Sequence, residues 1–91
     1  MKHLKIRVHG KVQGVYYRAS TVEKAKIFDL HGFVRNESDG TVYMEVEGDE
    51  ASLEEFIAWC HIGPERAVVE KVVIEEGGLK NYVSFITVRS I

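Results

Sequence analysis

One short stretch of this sequence has the residue types and spacing to hold an anion. Gly10 and Gly14 lie four residues apart, and Arg18 follows four residues later, near the start of a predicted helix. The first turn of a helix has unpaired N–H groups and a partial positive charge, so a cation there is mildly unfavourable. An anion between Arg18 and the backbone amides would reverse the sign of that interaction. The stretch therefore predicts a cradle for a negatively charged group.

Glycines between a strand and a helix have a simpler explanation, since they often only turn the chain. The stretch also lacks the features of two nucleotide-binding loops. No Lys-Ser or Lys-Thr follows Gly14, and a separation of four residues from Gly10 does not fit the dinucleotide fingerprint. A loop of this size could still wrap one phosphate with consecutive amides, with the forked guanidinium of Arg18 closing over it.

The elements around the loop can be assigned from hydrophobic periodicity. Residues 3 to 9 alternate between apolar and polar types, which predicts a half-buried strand. Residues 17 to 30 contain no proline or glycine and predict an amphipathic helix. Its apolar positions recur every three residues, at Ala19, Val22, Ala25 and Phe28.

Two extended segments, residues 33 to 37 and 41 to 47, flank Asp39-Gly40 and predict a β-hairpin. A two-residue turn would pair Val34 with Glu45, whereas a three-residue bulged loop would place Val34 opposite an apolar residue. We favour the bulged loop. Residues 49 to 62 predict a second helix that stops at Gly63-Pro64, and its apolar face carries Leu53, Phe56, Ile57 and Cys60.

Residues 67 to 75 and 82 to 89 are rich in valine, isoleucine and aromatic types and predict two more strands. The order β-α-β-β-α-β, with one further C-terminal strand, favours an α+β fold. Two helices would cover one face of a mainly antiparallel sheet in a two-layer, ferredoxin-like sandwich. Whether the last two strands pair with each other or lie apart stays open at this point.

Composition limits the possible partners and location. The 91 residues suffice for one domain, which we expect to span 1–91. A formal net charge of -2 gives no overall attraction for nucleic acid or an anionic membrane surface, and no apolar run is long enough for a signal peptide or a membrane span. Cys60 is the only cysteine, so the chain can form no internal disulfide. We expect a cytoplasmic protein without nucleic acid or membrane partners.

The motifs taken together resemble the acylphosphatase family. The residues that carry the resemblance are Gly10-Lys-Val-Gln-Gly-Val-Tyr-Tyr-Arg18, Gly32-Phe-Val-Arg-Asn36, Asp39-Gly40-Thr-Val42 and Glu47-Gly48. The resemblance runs from His3 to the C-terminal strand. It implies an enzyme that hydrolyses the carboxyl–phosphate bond of small acyl phosphates to a carboxylate and inorganic phosphate, which could itself bind as product or competitor.

The resemblance also implies roles for two side chains, an arginine that binds the phosphate and an asparagine that holds water, which correspond to Arg18 and Asn36. The amides of Gly14, Val15, Tyr16, Tyr17 and Arg18 would bind the phosphate oxygens. The resemblance implies no cofactor and no metal. No general acid is needed, because an acyl phosphate is already activated and its leaving carboxylate is a weak base. Asn36 cannot act as a base near neutral pH, so a phosphate oxygen would take the proton of the attacking water.

Some residues have simpler interpretations. The four histidines lack metal-ligand spacing, and His3 and His9 fall on the polar face of the first strand, so we expect all four to be ordinary polar positions. Cys60 is expected to be a core thiol, and at least one of Tyr16 and Tyr17 should pack against the sheet. Asp29 departs from the family pattern, which has glycine at the end of the first helix. The main alternative function is a non-catalytic regulatory module that binds phosphate on the same fold.

Overall fold

The computed structural model describes residues 1–89, so Ser90 and Ile91, the last two residues of the predicted domain, lie outside the described residues. Within that range the elements follow the predicted order. They are β1 (Lys2–Lys11), α1 (Tyr17–Ile27), β2 (His31–Asn36), β3 (Val42–Gly48), α2 (Glu50–Cys60), β4 (Val68–Gly77) and β5 (Phe85–Thr87).

The five strands form one sheet in the order β4-β1-β3-β2-β5. Three pairs are antiparallel, and the edge pair of β2 and β5 is parallel. The last two strands therefore lie at opposite edges, which settles the alternative left open by the sequence. Both helices contribute side chains to the core on one face of the sheet, together with Ile6, Val34 and Met44. The ferredoxin-like α+β fold is confirmed.

The hairpin between β2 and β3 has the predicted three-residue loop. Val34 lies opposite Met44, and the Glu37 amide donates to the Thr41 carbonyl oxygen at 2.9 Å. Gly40 adopts φ 92°, the left-handed conformation that this bulged loop requires at its last position. This register places Val34 on the core face, and Asn36, two residues further along the strand, on the same face of the sheet.

Helix α1 ends three residues earlier than predicted, because Asp29 is in the left-handed conformation at φ 57°. The Leu30 amide donates to the Ala25 carbonyl at 2.8 Å, and the Asp29 amide donates to the Lys26 carbonyl at 3.2 Å. These two bonds form a Schellman motif, in which glycine usually takes the left-handed position. The family glycine is thus replaced here by an aspartate in the same conformation.

Helix α2 is shorter at both ends than the predicted span of residues 49 to 62, but its stop signal is as expected. Gly63 adopts φ 71°, and its amide donates to the Trp59 carbonyl at 2.8 Å. The predicted apolar face is buried at Leu53, Phe56 and Cys60 and partly buried at Ile57. No helix within residues 1–89 has the length and apolar character needed to cross a membrane.

The segment before β5 differs from the sequence prediction, which had a strand from residue 82. Glu47 on β3 accepts hydrogen bonds from the backbone amides of Lys80 and Tyr82. That segment therefore lies across the helix-free face of the sheet, and the strand begins only at Phe85. The segment buries His3, whose two ring nitrogens lie 2.7 Å from carboxylate oxygens of Glu47 and Glu45. The prediction of an ordinary polar position for His3 was wrong.

Candidate active site

A cleft of about 520 Å³ lies at one end of the strands, where β1 and β2 end and where the antiparallel strand β4 begins. It brings together the two side chains selected from the sequence, Arg18 and Asn36. Its other lining residues are Val12, Gly14, Tyr16, Tyr17, Ala19, Arg66 and Thr87. The lining therefore includes two arginines and no carboxylate, so the cleft is suited to a negatively charged ligand.

The loop between β1 and α1 adopts a backbone conformation suited to anions. Gly14 at φ 73° and Tyr16 at φ 65° are left-handed, whereas Val15 between them is not. Alternation of this kind turns successive N–H groups towards one point in anion-binding nests. A left-handed tyrosine costs about 1–2 kcal/mol, and strain of that size is typical of functional loops.

The start of α1 leaves its amides available to a ligand. The first helical hydrogen bond runs from the Ser20 amide to the Tyr16 carbonyl at 3.1 Å, so the preceding amides have no partner inside the helix. No side chain caps this end, and its first turn contains no acidic residue. Arg18, half-buried in the same turn, forms no ion pair within residues 1–89. A bound anion would satisfy both the amides and the guanidinium.

Asn36 is the last residue of β2 and shares the core face with Val34, which directs it towards the start of α1. Among the residues that the structure describes, its Oδ1 is the one buried side-chain polar atom without a hydrogen-bond partner. A buried acceptor without a partner is costly, and a water molecule at this position would remove that cost. Asn36 therefore lines the same cleft as Arg18 and carries a buried acceptor that has no partner among the described residues.

Gln13 connects the loop to the strand that carries Asn36, a role that sequence reasoning missed. Its Nε2 donates to the carbonyl oxygens of Glu37 at 2.8 Å and of Thr41 at 2.9 Å. Glu37 directly follows Asn36, so the two halves of the cleft are joined by one side chain. The motif contained Gln13, but its partners are 24 and 28 residues away, and no local pattern could reveal them.

Arg66 is a second residue that sequence reasoning did not select. It belongs to a turn closed by a hydrogen bond from the Ala67 amide to the Pro64 carbonyl at 3.0 Å. Gly63, the residue before this turn, lies close to both Tyr17 and the turn: a Cβ added to Gly63 would be 2.9 Å from the Tyr17 ring and 3.2 Å from the Ala67 Cβ. The Tyr17 hydroxyl donates to the Cys60 carbonyl at 2.7 Å, which joins the end of α2 to the start of α1. Tyr17 is thus buried and Tyr16 is exposed, which agrees with the expectation that at least one of the two tyrosines packs in the core.

The predicted burial of Cys60 is confirmed. Cys60 is fully buried, and burial raises the pKa of its thiol to about 12, so it is a core residue as predicted. Burial likewise raises the pKa of the Tyr17 hydroxyl, which stays protonated and donates its hydrogen bond. Within residues 1–89, no group of three His, Cys, Asp or Glu side chains could hold a metal ion.

Comparison with protein families gives a match over most of the sequence. A sequence model described as Acylphosphatase matches residues 4–87. An acylphosphatase from Marinobacter nauticus is 55% identical over 69 residues, which cover 76% of this chain and 75% of the relative.

Solved structures give the same result. The crystal structure of acylphosphatase from Bacillus subtilis superimposes with a TM-score of 0.95 at 31% identity, covering 97% of this chain and 99% of that one. An acylphosphatase from Coxiella burnetii superimposes with a TM-score of 0.92 at 35% identity, covering 94% and 90% of the two chains. Similarity at this level includes both the fold and the sequence.

Proposed function

This chain belongs to the acylphosphatase family and is an acyl phosphate hydrolase, and we propose that Arg18 and Asn36 are its catalytic side chains. The observation that carries the proposal is that Asn36, whose buried amide oxygen has no partner within residues 1–89, lines the same cleft as Arg18, which forms no ion pair in that range. The Asn36 amide oxygen suits a water molecule, and the Arg18 guanidinium suits a phosphate. One cleft would thus hold both reactants of a hydrolysis.

The phosphate group is bound by the backbone amides of Gly14, Val15, Tyr16, Tyr17 and Arg18 and by the Arg18 side chain. Support for this comes from the left-handed positions at Gly14 and Tyr16 and from the uncapped start of α1. Charge-assisted hydrogen bonds of this kind contribute about 1.5–3 kcal/mol each. Because the donors are fixed before the substrate arrives, they also stabilise charge on the equatorial oxygens in the transition state.

Asn36 accepts a hydrogen bond from the attacking water and holds it in line with the bond that breaks. The water oxygen forms a bond to phosphorus, and the bond between phosphorus and the acyl oxygen breaks. The electron pair of that bond leaves with the carboxylate. A phosphate oxygen takes the proton of the water, so the products are a carboxylate and dihydrogen phosphate. The acyl carboxylate is a weak base, and its departure needs no general acid.

The test measures two properties of the wild type and its variants, the hydrolysis of benzoyl phosphate with chelator present and the binding of inorganic phosphate. We expect the wild type to hydrolyse benzoyl phosphate at an undiminished rate with chelator present. Arg18→Ala should weaken phosphate binding and lower kcat/KM by at least about 10³-fold, because it removes a bidentate charge-assisted contact. Asn36→Ala should still bind phosphate but lower kcat by about 10²-fold, because the water loses its position.

Arg7→Ala is the matched control, because it removes an arginine that lies outside the cleft. Circular dichroism and melting temperature would show that each variant is folded. Asn36→Ala with normal kcat would contradict the water-positioning role. A wild-type protein that binds phosphate but hydrolyses no acyl phosphate would favour the regulatory module instead.

We also propose that the protein works in the cytoplasm without nucleic acid or membrane partners. The net charge of -2 and the single, buried cysteine support this. Fractionation of cells that express the natural gene would test the location. Gel-shift and vesicle-sedimentation assays at low salt would test the partners, and binding in either assay would contradict the proposal.

A further inference from the structure

The cleft contains one more cation than the proposed mechanism uses. Arg66 is exposed at the rim and, within residues 1–89, forms no ion pair. Its backbone is nevertheless fixed, because the turn that carries it is closed by a hydrogen bond and follows Gly63, which lies close to Tyr17. A phosphate held by the loop and Arg18 leaves this second guanidinium without a partner.

The order of the strands shows on which side of the phosphate Arg66 lies. Arg66 precedes β4, at one edge of the sheet, whereas Asn36 ends β2, near the opposite edge. The phosphate loop follows β1, which lies between β4 and β2 in the sheet. Arg66 and Asn36 therefore approach the phosphate loop from opposite sides of the cleft.

In-line attack requires the leaving group to lie opposite the attacking water. If Asn36 holds the water, the acyl group of the substrate extends away from β2 and towards the start of the edge strand β4. Arg66 lies on that side. A negative charge on the acyl group would then meet a guanidinium that has no ion pair within residues 1–89, whereas a neutral acyl group would leave that guanidinium in water.

We propose that Arg66 is a specificity residue that selects acyl phosphates with a second anionic group on the acyl moiety, such as a carboxylate. This inference rests on the proposed roles of Arg18 and Asn36, because they define the direction of the acyl group. Arg66 is exposed, so the selection has the modest size of a solvent-accessible ion pair with hydrogen bonds. We expect a preference of about two- to fivefold in kcat/KM.

The test compares two substrates that differ in charge and little in shape, para-carboxybenzoyl phosphate and para-carbamoylbenzoyl phosphate. The wild type should prefer the carboxylate, and the preference should shrink at high ionic strength. Arg66→Gln should remove the preference, because the carboxylate substrate loses its ion pair and the carbamoyl substrate has none to lose. Arg66→Lys should restore part of it, because the charge returns without the fork.

Lys26→Gln is the control, because it removes one positive charge from the last turn of α1, at the end away from the cleft. It should leave the preference as it is in the wild type. An unchanged preference in Arg66→Gln would overturn the proposal. Equal losses for both substrates would also overturn it, since Arg66 would then bind the common phosphate. The catalytic proposal is tested separately by turnover in the Arg18 and Asn36 variants, so either proposal can fail while the measurements for the other stand.

Discussion

Arginine side chains line two regions of this protein, the cleft and the helix-free face of the sheet. The two depressions are similar in size, about 520 Å³ for the cleft and about 420 Å³ for the one on the open face. The open face has more cations, since Lys5, Arg7 and Arg35 line it. Cation number and cavity size alone would rank the open face as an equal candidate for an anion site.

The charges on the open face are already compensated. Glu37 binds both arginines, with its oxygens 3.4 Å from an Arg7 nitrogen and 2.8 Å from an Arg35 nitrogen. Both guanidinium groups also lie over the ring of Tyr43, at 4.9 and 5.0 Å. In the cleft, the arginines and the buried amide oxygen have no such partners within residues 1–89. Unsatisfied polar groups therefore distinguish the proposed ligand site from a surface whose charged groups are paired with one another.

The same substitution in both regions tests this difference most strongly. Arg18→Lys should lower kcat/KM for benzoyl phosphate by about 10²-fold, because a point charge cannot replace the bidentate fork. Arg7→Lys should change kcat/KM by less than about twofold, because the partners of Arg7 lie outside the cleft. These partners are Glu37, the Thr41 hydroxyl and the Tyr43 ring. Steady-state kinetics would check both. Near-normal kinetics for Arg18→Lys would contradict a forked contact with phosphate.

The acidic side chains of the open face should affect stability more than activity. Glu47 is buried and accepts hydrogen bonds from His3 and two backbone amides. Glu47→Gln should lower the free energy of unfolding by about 2 kcal/mol, because an amide cannot accept all of these bonds. Below the melting temperature, kcat should fall by less than about threefold. Urea denaturation and kinetics would measure the two effects, and a large kcat loss at unchanged stability would reverse the assignment.

The pH dependence of this effect has a defined sign. Burial alone would raise the pKa of Glu47, but hydrogen bonds from the Lys80 amide, His3 and the Tyr82 amide lower it below the ordinary 4.5. A carboxylate with a lowered pKa in the folded state stabilises the protein above its unfolded pKa. That contribution is lost as the pH falls through the folded pKa. The difference in stability between wild type and Glu47→Gln should therefore shrink as the pH falls below 4.5.

The sequence predicted the groups of the cleft that are close together in the chain. The loop from Gly10 to Arg18 carries its own signals, namely glycines, the end of a strand and the start of a helix, and Asn36 belonged to the same family pattern. Arg66 and Gln13 could not be found in this way. The position of Arg66 depends on the packing of Gly63 against Tyr17, and the contacts of Gln13 are with a distant hairpin.

Prediction of the fold from the sequence has the same limit. The periodicity of two or about 3.6 residues reflects which face of an element is buried, and it predicted the strands, the helices and the hairpin register. It failed at His3, because the segment that buries this side chain is almost eighty residues away and is held by a side chain rather than by the sheet. Alternation in one strand cannot show what later covers its polar face.

Gln13 offers a test of the connection between the loop and Asn36. Gln13→Ala removes both hydrogen bonds to the hairpin carbonyls and should let the phosphate loop and Asn36 shift relative to each other. We expect kcat to fall by about tenfold with a smaller change in phosphate affinity, because the water, not the phosphate, loses its alignment. Equal effects on kcat and phosphate binding would indicate that Gln13 supports the loop alone.

We expect the smallest effect from a substitution that makes the open face resemble the cleft. Glu37→Gln removes the carboxylate shared by Arg7 and Arg35 but leaves the Glu37 carbonyl that binds Gln13, so the cleft should keep its geometry. Loss of this partly exposed pair should cost less than about 1 kcal/mol of stability. The freed guanidinium groups should then bind inorganic phosphate weakly. NMR titration of the backbone amides of β1 and β2 would detect it as shifts absent from the wild type. If phosphate shifts only the amides of the loop at the start of α1 in this variant, the ion pairs with Glu37 do not explain why the open face binds no anion.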